Sequence, residues 1–174
     1  MNVRYSLALG ALLGVPAFAA GLGVNIEVPR LNVAEYHRPY VAAWVERADN
    51  TLASTLAVWY DVRANTNNPE GEGTKWLKDL RQWWRRGGRE LAVPVDGVTG
   101  ATKPAGKHQI NVSEGSVALP KLPAGSYKLV VEASREVGGR EVVSIPFQWP
   151  PTSAQPLVVS GKEELGEIKL ELKP

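Results

Sequence analysis

Few residues in this chain could do chemistry, and one segment gathers most of them: Asp96-Gly97-Val98-Thr99-Gly100-Ala101-Thr102. The Thr102 hydroxyl follows the two small residues Gly100 and Ala101. Such neighbours leave the backbone free to bend and leave room for a second protein to draw the hydroxyl into its own active site. A threonine hydroxyl is a poor nucleophile at neutral pH, so its chemistry here is that of an acceptor acted on by another catalyst. Lys103-Pro104-Ala105-Gly106 follows, and Pro104 pushes Lys103 toward extended geometry, which predicts a loop at Thr102 and not a helix start. A plainer reading of the same residues is a turn, with Asp96 bonding the backbone two residues on and Gly97 and Gly100 in left-handed conformations.

The segment resembles the Asp-x-x-Ser/Thr-Gly-Ala-Thr/Ser acceptor of covalently flavinylated subunits in membrane-linked electron-transfer complexes; Asp96, Thr99, Gly100, Ala101 and Thr102 carry the match. That resemblance implies FMN attached by a flavin transferase through a phosphoester on Thr102. Asp96 and Gly100 would shape the loop, and Lys103 would balance the phosphodiester charge. In the flavinylated subunits another Ser/Thr and a helix usually follow, where this chain has Lys103-Pro104.

Conventional enzyme constellations are missing. With no cysteine, the chain has no disulfides, iron-sulfur clusters, thiol catalysis or Cys-type zinc sites. His37 and His108 stand outside any metal signature such as His-Glu-x-x-His, and neither a Gly-x-Ser-x-Gly elbow nor a phosphate-binding glycine loop occurs. Glu163, Glu164 and Glu167 read as a solvated turn and not an acid and base pair. The chain is therefore expected not to be an enzyme and to use no metal. Its formal charge of +2, falling to +1 if Arg4 is lost with a leader, offers no field for nucleic acid.

A leader is expected. Residues 1–20 combine Arg4, an apolar run from Leu7 to about Phe18 and small residues at Ala17 and Ala19, the pattern of a secretory signal cleaved after Ala19 or Ala20. The run is shorter than the roughly 20 residues a membrane span requires. Residues 21–174 then form one exported domain.

The elements that must position Thr102 read as β. The 13 prolines and 17 glycines cut the chain into short runs of Val, Leu, Ile, Tyr and Trp, which predicts an antiparallel sandwich. Strands are expected over 24–28, 39–47, 53–62, 90–95, 107–112, 126–135, 140–149 and 167–172. Residues 150–157 are expected to be an extended link to a last edge strand. A hairpin across Val137-Gly138-Gly139 is expected to use its glycines for positive φ. Pro123-Ala124-Gly125-Ser126-Tyr127 resembles the Pro-x-Gly-x-Tyr lead-in of immunoglobulin-like modules, so the expected class is an all-β, immunoglobulin-like antiparallel β-sandwich with one short inserted helix.

That helix is read from Thr74 as cap to Gly87-Gly88 as stop, with Trp76, Leu80 and Trp83 at i, i+4 and i+7, and Leu77 and Trp84 beside them. Its indoles are expected in the core. A functional alternative has an exposed Trp83 or Trp84 stacking on a flavin ring and Arg85 or Arg86 meeting its phosphate.

Taken whole, the chain resembles a bacterial family of predicted periplasmic proteins with no assigned activity, domain of unknown function 2271. The resemblance is carried by Pro39 to Glu46, Thr55 to Trp59, Leu80 to Arg85, Asp96 to Thr102 and Tyr127 to Val143. It implies an exported all-β domain working near flavin transferases and PepSY-type membrane proteins in electron transfer or iron handling. Two functions are expected to compete: a periplasmic redox carrier with FMN on Thr102, and a cofactor-free binding or structural module that engages a membrane protein partner.

Overall fold

The computed structural model describes residues 20–174 except Asn65, Asn68 and Glu70, so the expected leader lies outside the described residues save for Ala20. Among the described residues, nine strands form two sheets. β1 (Gly21–Val28), β5 (Gly106–Ser113), β8 (Gln155–Ser160) and β9 (Glu167–Lys173) make a four-stranded sheet in the order β5-β1-β9-β8. β2 (Tyr40–Arg47), β3 (Leu52–Tyr60), β4 (Thr99–Ala101), β6 (Gly125–Ser134) and β7 (Arg140–Trp149) make the second, in the order β4-β3-β2-β6-β7. All pairings are antiparallel except that of β4 with β3.

Side-chain alternation sorts each strand's residues onto two faces. Leu22, Val24 and Ile26 of β1 and Ile168, Leu170 and Leu172 of β9 share one buried cluster with Val41, Ala43 and Val45 of β2 and Leu129, Val131 and Ala133 of β6. The two sheets therefore enclose a common core. The opposite face of the five-stranded sheet holds a second cluster, in which Ala42, Trp44, Val58, Tyr60 and Val130 meet Leu77, Leu80 and Trp83. A helical layer covers that face over β2, β3 and part of β6, which are buried on both sides there, while Ser144, Pro146 and Gln148 of β7 stay exposed.

The covering layer is not the continuous α-helix expected. It winds as a 3₁₀ helix over Glu72–Asp79, breaks at Leu80 (φ −76°, ψ 69°), and continues as α1 (Arg81–Arg86) before a further 3₁₀ turn at Gly88–Glu90. A 3₁₀ helix repeats every three residues. Within it Leu77 turns to the sheet, followed by Leu80 at the break and Trp83 in α1, while Trp76, expected in the core, is 50% exposed.

Two carboxylates without exposed surface pin this layer to the sheet. Glu132 of β6 accepts the Gln82 and Trp83 N–H groups at 3.0 and 2.8 Å and the Arg140 guanidinium at 2.6 Å. Glu46 of β2 accepts Trp44 Nε1 at 3.0 Å and Arg86 Nε at 3.1 Å, and Lys128 faces it as an ion pair at 3.2 Å. Buried charge persists only when paired and hydrogen-bonded in this way.

Other expectations need correction. Residues 90–95 form no strand; Leu91 and Val93 pack against the second cluster, but no neighbouring chain pairs with them. The link expected at 150–157 gives way to β8, which makes β9 an interior strand. Pro156 is accommodated because β8 pairs on one side only. In the β6–β7 hairpin the positive φ falls on Val137 (52°) and not on the glycines. Gly138 is instead required by space, since a Cβ there would strike the Arg135 guanidinium, and one at Gly139 would meet Glu164 Oε1 at 2.8 Å. Glu164 itself is buried and bonds Arg135 twice at 2.9 Å, so it is no solvated turn residue; Glu163 and Glu167 are exposed. The Pro-x-Gly-x-Tyr lead-in closes on itself, with Tyr127 Oη donating to the Pro123 carbonyl at 2.8 Å.

Candidate functional site

Val95 to Thr99 form a tight turn held by Thr99. Its Oγ1 bonds both the N–H and the carbonyl of Val95 at 2.9 Å, and its own N–H reaches the same carbonyl at 2.9 Å. Gly97 takes positive φ (72°) as the turn reading required, but Gly100 does not, and Asp96 is exposed without the backbone bond expected of it. Thr99 is therefore the residue that shapes the turn.

Gly100 and Ala101 belong to β4, an edge strand, whereas the turn reading puts Gly100 in a turn; Thr102 follows β4 in the loop expected there. Thr99, Gly100 and Ala101 lie parallel to Val58, Trp59 and Tyr60, and the Thr102 N–H closes the ladder on the Tyr60 carbonyl at 3.1 Å. A parallel pairing of three residues suffices because Val98 is buried as an anchor before it. Gly100 passes over Trp59 without crowding; a Cβ there would meet Trp59 Cδ1 only at 3.8 Å.

Thr102 stands where the chain leaves the five-stranded sheet to cross to β5 in the other. The residue is half-buried, and among the described residues its hydroxyl makes no hydrogen bond. The crossing is braced from below. Lys103 Nζ lies 5.5 Å from the centre of the Trp59 ring, His108 meets the same ring edge-on at 5.8 Å, and the Pro104 carbonyl is 2.8 Å from His108 Nε2. One residue beyond Tyr60, hydrogen bonds from the Arg63 guanidinium hold the Asp61 carboxyl below its ordinary range.

The acceptor-like segment thus brings together Asp96, Thr99, Gly100, Ala101, Thr102 and Lys103 with Trp59 and His108, which sequence reasoning did not associate with it. Trp59 reads in the sequence as a core strand residue, and His108 sits on a different sheet; only the crossover joins them. Trp83 and Trp84 have another place. Trp83 has no exposed surface and donates its Nε1 hydrogen to Thr55 at 3.1 Å, so it is not an exposed stacking surface. Trp84 is half-buried with its ring centre 6.3 Å from that of Trp83. Arg86 is committed to Glu46, and Arg85 is exposed.

Chemically, the site offers an unbonded secondary hydroxyl just past the end of an edge strand, small neighbours before it and, next in sequence, the Lys103 ammonium over the Trp59 ring. That set can accept a phosphoryl group and offset its charge.

The model of a family described as predicted periplasmic protein, domain of unknown function 2271, matches residues 21–167. No curated protein and no solved structure matches the chain.

Proposed function

The chain belongs to that family of predicted periplasmic proteins, and on this premise we propose that it is a periplasmic redox carrier holding FMN covalently on Thr102. The observation that carries the reading is a threonine hydroxyl that makes no hydrogen bond among the described residues, just past the end of an edge strand and preceded by Gly100 and Ala101. In the attachment step Thr102 Oγ1 forms a bond to the flavin-side phosphorus of FAD and the pyrophosphate bond breaks. AMP leaves, and the hydroxyl proton passes to a base of the flavin transferase, whose metal activates the phosphoryl group. The cofactor would supply electron transfer; the protein would supply position and charge.

Lys103 fits the group, since its ammonium is next in sequence to the phosphodiester. Thr99 would keep the preceding turn closed while the transferase engages the edge, and Asp96, exposed on that turn, is open to recognition by it. A PepSY-type membrane protein would exchange electrons with the carrier. Export through removal of residues 1–20, and an immunoglobulin-like class for the sandwich, supported by the Tyr127 contact to Pro123, belong to the same reading.

Intact mass is the test. Protein exported together with a flavin transferase should gain one FMN, Thr102→Ala should abolish the gain, and N-terminal sequencing should begin at Ala20 or Gly21. Unmodified mass and no yellow colour would sink the carrier. A cofactor-free module that engages a membrane protein is the second reading, favoured by the exposed Trp76 with Lys75 and Lys78 beside it.

A further inference from the structure

A cleft of about 490 Å³ opens between the β6–β7 turn and the 3₁₀ helix, at the end of the sheet where β2 begins. Its size lies within the roughly 300–1,000 Å³ of small-molecule sites. Four arginines line it, and they divide into two pairs. Arg135 and Arg140 are tied to Glu164 and Glu132. Arg38 and Arg81 are exposed and have no ion pair or hydrogen bond among the described residues. Even tied, Arg135 keeps a buried Nη1 without a hydrogen-bond partner, in a side chain 6% exposed. Guanidinium hydrogens without acceptors are costly to keep when buried, and a ligand oxygen would satisfy them.

The walls add flat apolar surface. Trp76 is half exposed as a consequence of the 3₁₀ winding, and Tyr40 is partly buried opposite, where burial raises its phenol above its ordinary range. Asp79 and Glu136 also line the cleft. With Glu132 and Glu164 they balance the four arginines, and Lys75 and Lys78, 5.5 and 6.0 Å from the Trp76 ring, leave the mouth positive. An indole flanked by the Lys75 and Lys78 ammonium groups and by the unpaired Arg38 and Arg81 guanidinium groups complements a ring that carries an anion.

We propose that this cleft is a noncovalent site for a fused planar ring bearing a phosphate, the chemical class of flavin mononucleotide. It deepens the proposed function by giving a flavin a second place on the chain, but its test does not need attachment to Thr102. Thr102→Ala protein made without a transferase is titrated with FMN, following quenching of flavin fluorescence, with riboflavin and inorganic phosphate as parallel probes. Saturable quenching by micromolar to millimolar protein is expected. Riboflavin should bind at least tenfold more weakly, phosphate should compete poorly, and Trp76→Ala and the Arg38→Ala/Arg81→Ala pair should each weaken FMN binding about tenfold or more. These side chains are exposed, so the variants should fold, as circular dichroism would verify. Absence of saturable quenching overturns the site, as does unchanged affinity in either variant or phosphate competing as well as FMN. None of those results touches the mass gain at Thr102, so failure of the cleft and failure of the attachment reading are read separately.

Discussion

The two ends of β3's neighbourhood use polar groups in opposite ways. Beneath the helical layer, Glu132 and Glu46 have no exposed surface and face two helix N–H groups, an indole N–H, two guanidinium groups and an ammonium. At the β4 edge, Thr99 is used on its turn, but among the described residues the Asp96 carboxylate and the Thr102 hydroxyl make no hydrogen bond. Polar groups that build the fold are paired, by hydrogen bonds or, at Glu46 Oε2, by the Lys128 ion pair alone, and those that the fold does not consume mark where something else can act. The difference is one of energetic consequence, and substitutions should expose it.

The largest effect is expected at Glu132. Glu132→Ala strands a guanidinium and two helix N–H groups, so a loss of about 3–5 kcal/mol is expected in urea unfolding. Trp83→Ala should cost about as much, roughly 3–5 kcal/mol, because it empties the second cluster and also strands the Thr55 hydroxyl. Calorimetry should register either change as a fall of roughly 6–20 °C in Tm.

A smaller, pH-dependent effect belongs to Glu141. Burial alone would raise its carboxyl, but N–H groups from Lys162, Glu163, Glu164 and Leu165, at 2.6 to 3.0 Å, outweigh burial and hold it below the ordinary 4.5. A depressed folded value stabilises the protein above the unfolded value and is lost as pH falls through the folded one. Stability should therefore decline with acid below about pH 4.5, and Glu141→Gln should flatten that decline while costing about 1–3 kcal/mol at pH 7. Denaturant midpoints measured across pH 2.5–7 would check it.

The smallest effects should lie at the β4 edge. Thr102→Ala and Gly100→Ala are each expected within about 0.5 kcal/mol of the parent in the same unfolding assay. A large loss at Thr102 would mean that its hydroxyl serves the fold, and the contrast between the two regions would collapse.

Where alternation and two-sided pairing coincide, as in β2 and β6, the strands could be read from the sequence almost to the residue. Residues 90–95 had the alternation without the ladder: their side chains pack in turn, but no strand lies beside them. β8 had the ladder without the signal, since Pro156 reads as a linker until one sees that only one edge is used. The three residues of β4 are too few to carry a period. Winding was likewise hidden, because both the α and 3₁₀ spacings fit the helical segment, and only the fit against β2, β3 and β6 chooses Leu77 over Trp76. The acceptor-like residues were legible as a set; their neighbours Trp59 and His108 were not, since contact across a sheet-to-sheet crossing leaves no local spacing to read.

That crossing has a mechanical consequence. One ladder ends with the Thr102 amide on Tyr60, and the next begins with Gly106 opposite Val28. The few residues between are hinged to both layers and zipped to neither, so a visiting protein could take hold of this strap and lift it without prising a single rung from either sheet.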